Sequence, residues 1–99
     1  MPGEQKKLRV PDKVAELVRH LHPELKSAVK AAITEILEDP LCGKALKDEL
    51  DSLRSYRIKK FRIIYLIERK WIDIVTIGPR KRIYEETFRI ISQTEERDK

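Results

Sequence analysis

The chain has 99 residues, which is enough for one domain and too few for two. It carries 22 Lys and Arg against 17 Asp and Glu, so the net charge is +5 and we expect an anionic partner: nucleic acid, anionic lipid or an acidic protein. Cys42 is the single cysteine, which excludes an internal disulfide and agrees with a reducing compartment. No apolar run approaches the ~18 residues that span a membrane, and the N-terminal residues lack the apolar stretch of a signal peptide. The sequence therefore predicts a cytoplasmic protein.

A helical hairpin is predicted in the first 40 residues. Residues 7–10 suit a short edge strand ended by Pro11, and Asp12 then suits a helix cap. The apolar residues that follow have the i, i+3, i+4, i+7 spacing of one helix face: Val14, Leu17, Val18 and Leu21. Pro23 fits the first position of a second helix, whose apolar stripe continues until Asp39-Pro40. The two segments predict helices joined by a tight corner.

The second half of the chain is typical of strands. Residues 40–53 form a connector, with a helical turn expected over 44–50. Residues 56–60 alternate in polarity, and the runs 61–67 and 71–77 are rich in β-branched and aromatic residues. The polar break at 69–70 predicts an antiparallel hairpin.

The end of the chain returns to a helical spacing. Tyr84, Phe88 and Ile91 recur at i, i+4 and i+7, which predicts a short helix before a polar tail. Helices segregated from an antiparallel sheet define an α+β fold, with a helical hairpin packed on a small sheet and a short C-terminal helix. We expect a single domain over residues 1–99, with its core at about 8–91.

Metal and cofactor sites are not expected. His20 and His22 are two residues apart and so point to different sides of a helix, and with one cysteine a zinc site is excluded. The three glycines are scattered and form no phosphate-binding loop.

Positive charge is concentrated in two segments. The run RSYRIKKFR, residues 54–62, holds five basic residues and no acidic one, and Arg80, Lys81 and Arg82 follow the third strand. Alternation places Arg57 and Lys59 on one face of a strand, and Arg62 lies on the next strand. These cations can converge with Tyr84 on one surface that binds phosphates. The alternative is a solvated basic face whose arginine stems cover apolar neighbours.

Three segments together resemble the RelE/ParE superfamily of type II toxin–antitoxin toxins. They are the hairpin LHPELKSAVKAAITEILEDP followed by LKDELDSLRSYRI, then YRIKKFRIIYLIE, then IDIVTIGPRKRIY. The resemblance covers residues from about 8 to 91 and implies a RelE-like fold. It also implies a ribosome-dependent endoribonuclease that cleaves mRNA in the A site and inhibits translation. The resemblance implies a metal-independent reaction in which the ribose 2′-hydroxyl attacks the adjacent phosphate.

The resemblance also assigns roles. Arg62 matches the family arginine at the scissile phosphate, Arg80 the arginine that stabilises developing charge, and Tyr84 a tyrosine that stacks on a base or transfers a proton. Arg57 and Lys59 fall where some members carry basic catalytic or rRNA-binding residues. The remaining cations are expected to bind nucleic acid: Arg54, Lys60, Lys81 and Arg82.

One position departs from the family pattern. Many members have histidine before the second arginine, where this chain has Pro79, so acid–base catalysis through that histidine is excluded. Two alternatives therefore stay open: a ParE-like toxin that inhibits DNA gyrase by binding, and a degenerate member that only binds its antitoxin. All three imply a cognate antitoxin, and operator DNA would be bound only through the antitoxin complex. The nuclease alone implies the ribosome and mRNA as partners.

Overall fold

The helical hairpin is present in the computed structural model, which describes residues 6–46, 52–79, 83, 85 and 87–91. Helix α1 spans Asp12–Arg19 and helix α2 spans Pro23–Glu38. Asp12 was expected to cap α1, but the cap position is taken by Pro11, and Asp12 is the first helical residue. Pro23 does begin α2, and His22 caps it by accepting the backbone N–H of Glu24.

The connector after α2 differs from its prediction. A short 3₁₀ turn spans Pro40–Cys42, and strand β2 spans Lys44–Ala45, where a helical turn was expected. The prediction is wrong at these two residues because they pair with the neighbouring strand, which satisfies their backbone groups outside any helix. Residues 47–50, the rest of the predicted turn, lie outside the described residues.

Within the described residues, five strands form one mixed sheet in the order β1-β5-β4-β3-β2. The strands that complete it are β1 (Lys7–Arg9), β3 (Leu53–Ile58), β4 (Phe61–Ile67) and β5 (Trp71–Pro79). The predicted meander is confirmed, because β3, β4 and β5 pair antiparallel in sequence order. The edge strand β1 is also confirmed, and its pairing with β5 is parallel. The α+β class is therefore correct, with one parallel strand added to the antiparallel sheet.

The two faces of the sheet are covered by different elements. On what we call the helix face, strand residues pack against α1 and α2 in the main core, which includes Ile63, Tyr65 and Ile72. On the other, the distal face, Leu53 and Ile64 pack with Ile83 in a smaller cluster. The assignment of neighbouring residues to opposite faces follows from strand alternation.

The C-terminal helix predicted from the apolar spacing is present. Residues 87–91 are helical. Ile83 and Thr87 are fully buried, and the Thr87 hydroxyl donates to the Ile83 carbonyl at 2.6 Å. Within the apolar spacing, Ile91 packs against the cluster around Ile83, whereas Phe88 is 48% exposed. Tyr84, the first residue of the predicted stripe, lies outside the described residues.

Candidate nucleic-acid interface

Two arginines lie side by side on the distal face of the sheet. Arg57 on β3 is the direct cross-strand partner of Arg62 on β4, and Arg62 is opposite Gly78 on β5. Because directly paired residues share a face, both guanidinium groups extend from the same side of the sheet. Arg57 is exposed and Arg62 is half-buried. The predicted convergence of these two cations is therefore what the register produces.

The two lysines at the end of β3 lie in the turn that joins β3 to β4. Strand β3 stops at Ile58, which pairs with Phe61, so Lys59 and Lys60 form the two-residue connection. Lys59 was expected on the strand face beside Arg57, but it lies in this turn, and its φ is 52°. This left-handed backbone is unfavourable for a lysine. We call Arg57, Lys59, Lys60 and Arg62 the basic end of the sheet.

A hydrogen bond to Ser55 holds the Arg62 side chain. Its Nη1 donates to the hydroxyl of Ser55 at 3.0 Å, and Ser55 is 2% exposed. The Arg62 Nε is buried and has no hydrogen-bond partner among the described residues. The guanidinium thus carries a full charge beside a neutral acceptor, with donors left for a ligand.

No carboxylate within the described residues forms an ion pair with the basic end. The ion pairs among the described residues lie away from the basic end. Those on the sheet join Arg9 of β1 to Glu68 and Asp73, at the opposite end of β4 and β5, and the others lie on α1 and the residue after it. Like charges directly across a strand pair are destabilising. The two side chains leave this register pair in opposite directions: Arg57 Nε donates to the Lys59 carbonyl at 3.4 Å, in the turn, and Arg62 Nη1 donates to Ser55. Both charges stay on one face of the sheet, which suits contacts with the phosphates of a nucleic-acid backbone.

Arg54 does not join the basic end. It belongs to the alternate set of β3 residues that face α1 and α2, and its cross-strand partner is Tyr65. Its Nε donates to the Gly43 carbonyl at 3.0 Å and its Nη2 to the Leu41 carbonyl at 3.2 Å. These bonds hold the 3₁₀ turn after α2 against the sheet, so the structure gives Arg54 a stabilising contact where nucleic-acid binding was predicted.

Four predicted site residues lie outside the described residues: Arg80, Lys81, Arg82 and Tyr84. Pro79 precedes them in the chain, and it pairs with Phe61, the immediate neighbour of Arg62. Ser55 is a residue that the sequence analysis missed. A serine within a strand carries no pattern of its own, and only the pairing register brings it to Arg62.

Comparison with known protein families decides the identity of the chain. A model described as "ParE-like toxin of type II bacterial toxin-antitoxin system" matches residues 8–87. The chain belongs to this ParE-like toxin family. The predicted membership of the RelE/ParE superfamily is therefore confirmed. A search of curated proteins gave no significant match.

Solved structures of toxins have the same fold as this toxin. The RelBE2 toxin–antitoxin complex from Mycobacterium tuberculosis contains a chain that is 25% identical, with a TM-score of 0.67, covering 78% of this chain and 100% of that one. A free E. coli RelE toxin with two arginines replaced by alanine is 13% identical, with a TM-score of 0.73 and coverage of 92% and 98%. The archaeal RelE–RelB complex from Pyrococcus horikoshii contains a chain that is 18% identical, with a TM-score of 0.65 and coverage of 80% and 99%.

The described histidine and cysteine side chains outside the basic end show no arrangement for catalysis. His20 is exposed, and its Nδ1 lies 2.9 Å from the Glu16 carbonyl oxygen. Cys42 is exposed, but partial desolvation raises the pKa of its thiol, and the charge of Glu35 raises it further, so the thiolate is disfavoured. In the part of the chain that the structure describes, no group of three His, Cys, Asp or Glu side chains is placed to hold a metal. No helix there is long and apolar enough to cross a membrane.

A hydrogen bond from Tyr56 connects β3 to α2 and should make the stability of the fold depend on pH. Its hydroxyl donates to the Glu35 carboxylate, and this bond, with burial and the carboxylate charge, raises the pKa of Tyr56 to about 12. Because the folded pKa exceeds the ordinary value of 10.0, the bond stabilises the fold fully below pH 10, and this contribution is lost as pH rises through 12. We expect Tyr56→Phe to lower the free energy of unfolding at pH 7 by up to about 1 kcal/mol.

Urea unfolding of wild type and Tyr56→Phe between pH 7 and 12 measures this contribution. The difference between the two proteins should shrink from pH 10 upward. A difference that stays constant to pH 12 would show that Tyr56 stabilises by packing and not through its proton.

Proposed function

We propose that the toxin is a ribosome-dependent endoribonuclease that cleaves mRNA in the A site. The observation that carries this proposal is the basic end, where Arg57 and Arg62 are directly opposed and no described carboxylate neutralises them. An RNA phosphate supplies the negative charge that this pair lacks, and a guanidinium fork fits phosphate oxygens. The proposal places the toxin with ribosomes and therefore in the cytoplasm.

The proposed reaction is a transesterification without metal. The ribose 2′-hydroxyl loses its proton as its oxygen bonds to the adjacent phosphorus, and the bond from phosphorus to the 5′-oxygen breaks as that oxygen takes up a proton. The products are a 2′,3′-cyclic phosphate and a 5′-hydroxyl. Arg62 contacts the scissile phosphate and stabilises the charge that develops on its oxygens. Arg57 and Lys59 add positive charge beside it.

The roles of Arg80 and Tyr84 in this proposal follow from the resemblance of their motif to RelE-like members. Arg80 stabilises the phosphorane or the leaving oxygen, and Tyr84 stacks on a base or transfers a proton. A tyrosine has an ordinary pKa near 10, so neighbouring cations must lower it before Tyr84 acts as a base. Lys60, Lys81 and Arg82 contact RNA phosphates, which position the substrate without reading its sequence.

The proposed dependence on the ribosome follows from the chemistry of the basic end. Its described side chains are Arg and Lys, which supply positive charge but are poor general acids and bases at neutral pH. Where general acid–base catalysis is weak, more of the rate must come from holding the 2′-oxygen and the phosphate in line for attack. We propose that mRNA held in the A site provides this alignment.

A cognate antitoxin is the proposed protein partner. Two of the similar structures are toxin–antitoxin complexes, from Mycobacterium tuberculosis and Pyrococcus horikoshii. An acidic segment that orders on binding would neutralise the basic end and block RNA from it. Operator DNA would be bound through the antitoxin half of the complex.

Cell-free translation tests the proposed function. The purified toxin should stop protein synthesis, and primer extension should find the mRNA cut at the codon where ribosomes stall. Arg80→Ala combined with Tyr84→Phe should abolish the cuts, whereas Arg69→Ala, at an exposed position in the β4–β5 turn, should leave them unchanged. Wild-type toxin that leaves mRNA intact would contradict the proposal.

Gyrase inhibition is the second candidate, and the ParE-like description of the matching family favours it. This function needs binding without RNA cleavage, and the same fold can serve both. A supercoiling assay beside the translation assay separates them. Inhibited supercoiling with intact mRNA would support the second candidate, while cut mRNA with normal supercoiling supports the first.

A further inference from the structure

We propose that Ser55 is a positioning residue for Arg62: its buried hydroxyl orients the guanidinium toward the RNA phosphate without neutralising it. The inference rests on the proposed function, in which Arg62 contacts that phosphate. Ser55 lies on the distal face of β3, is 2% exposed, and accepts from Arg62 Nη1 at 3.0 Å.

The pairing register explains how Ser55 reaches Arg62. Arg57 is directly opposite Arg62, and Ser55 is directly opposite Ile64, so Ser55 is the diagonal neighbour of Arg62. A long side chain spans this diagonal distance. The Arg62 side chain therefore extends along the sheet toward Ser55, and its buried Nε fixes the stem of the guanidinium against the sheet.

A neutral acceptor suits this position better than an acidic one. Among the described residues, the Ser55 hydroxyl is the one hydrogen-bond partner of the Arg62 guanidinium. A carboxylate there would orient Arg62 equally well, but it would form an ion pair and compete with the phosphate. A hydroxyl supplies direction through its lone pair and leaves the positive charge of Arg62 available to RNA.

Thr76 offers a matched control on the same row. Ile64 on β4 pairs with Ser55 on one side and with Thr76 of β5 on the other, and Thr76 is 9% exposed. Its hydroxyl makes no hydrogen bond to Arg62, so Thr76→Val removes a nearby buried hydroxyl at nearly constant volume without touching the proposed bond.

Single-turnover cleavage on programmed ribosomes tests the kinetic consequence. Ser55→Ala should lower the cleavage rate at saturating toxin by about 10- to 100-fold, the size expected for one hydrogen bond to a charged group, with the half-saturating toxin concentration nearly unchanged. Ser55→Thr should restore most of the rate, and Thr76→Val should match wild type. In an Arg62→Ala background, Ser55→Ala should cause no further loss, whereas a purely structural role would add its effect. If Ser55→Ala does not fold, Ser55→Cys replaces it, because it keeps the volume and weakens the acceptor.

Side-chain ¹⁵N–¹H spectra of the arginine Nε–H groups test the positioning independently of cleavage. In wild type, the Arg62 signal should be protected from exchange with solvent, and Ser55→Ala should shift it and speed its exchange, while Thr76→Val should not. If wild type cuts no mRNA, the proposed function fails, and these spectra still decide on Ser55. If wild type cuts mRNA, and Ser55→Ala cuts at the same rate with an unchanged Arg62 signal, the positioning role is overturned.

Discussion

Arg62→Ala is expected to lower the rate of mRNA cleavage by about 10²- to 10³-fold, as removal of one charge-stabilising group does in other enzymes. Stability should barely change. Loss of half-buried packing and of the hydrogen bond to the buried Ser55 hydroxyl is destabilising. The variant also removes a like charge opposite Arg57 and a buried Nε that has no partner among the described residues, and these changes offset the loss. We therefore expect the free energy of unfolding to change by less than about 1 kcal/mol.

Cleavage rates and urea unfolding measured on the same preparations separate chemistry from folding. Arg62→Lys keeps the charge and loses the fork, so its rate should lie between those of wild type and Arg62→Ala. Arg69→Ala serves as the control for loss of one arginine at an exposed site. An Arg62→Ala toxin that cleaves within threefold of wild type would remove Arg62 from the chemistry.

Gly43→Ala is expected to have the largest effect on stability, about 2–4 kcal/mol. A Cβ at Gly43 would lie 2.5 Å from the Tyr65 hydroxyl oxygen and 2.9 Å from its Cε1. Tyr65 is fully buried, accepts the Gly43 N–H at 3.0 Å and donates to the Pro40 carbonyl at 2.7 Å. Displacing the ring would strain the core and break both bonds. The backbone of Gly43 is ordinary extended chain, with φ −80° and ψ 159°, so the effect comes from contact alone.

Urea unfolding midpoints measure this effect, and two variants sharpen it. Leu41→Ala, at a neighbour that is 67% exposed, should change stability by less than about 0.5 kcal/mol. Tyr65→Phe should cost about 1–2 kcal/mol, because it leaves the Gly43 N–H and the Pro40 carbonyl without their partner. If Gly43→Ala is as stable as Leu41→Ala, the turn does not depend on close approach to Tyr65.

Local sequence patterns predicted most of the elements because each has a clear period or a clear end. The apolar stripe and Pro23 define the helices, and β-branched runs around the polar break at 69–70 define β4 and β5. Strand β2 was missed because its two residues are extended only through pairing with β3, while residues 44–50 have no strand pattern. Pairing of this kind overrides local propensity.

The site was predicted in part, and its errors have a physical cause. Arg57 and Arg62 were expected to converge, and the register brings them together. Lys59 was misplaced because no glycine, asparagine or proline marks the β3–β4 turn, so alternation gave no sign that the strand ends at Ile58. Arg54 is three residues before Arg57, so alternation along β3 already places the two on opposite faces of the sheet. The contact of Ser55 with Arg62 could not be predicted, because it depends on how β3 and β4 are aligned.

The most direct test of the proposed ribosome-dependent cleavage uses purified ribosomes programmed with one defined mRNA and carrying a vacant A site. We predict one cut in the A-site codon, a 2′,3′-cyclic phosphate on the upstream fragment, and no cut in the same mRNA without ribosomes. Intact mRNA on the ribosome, together with inhibited gyrase supercoiling by the same toxin preparation, would contradict it.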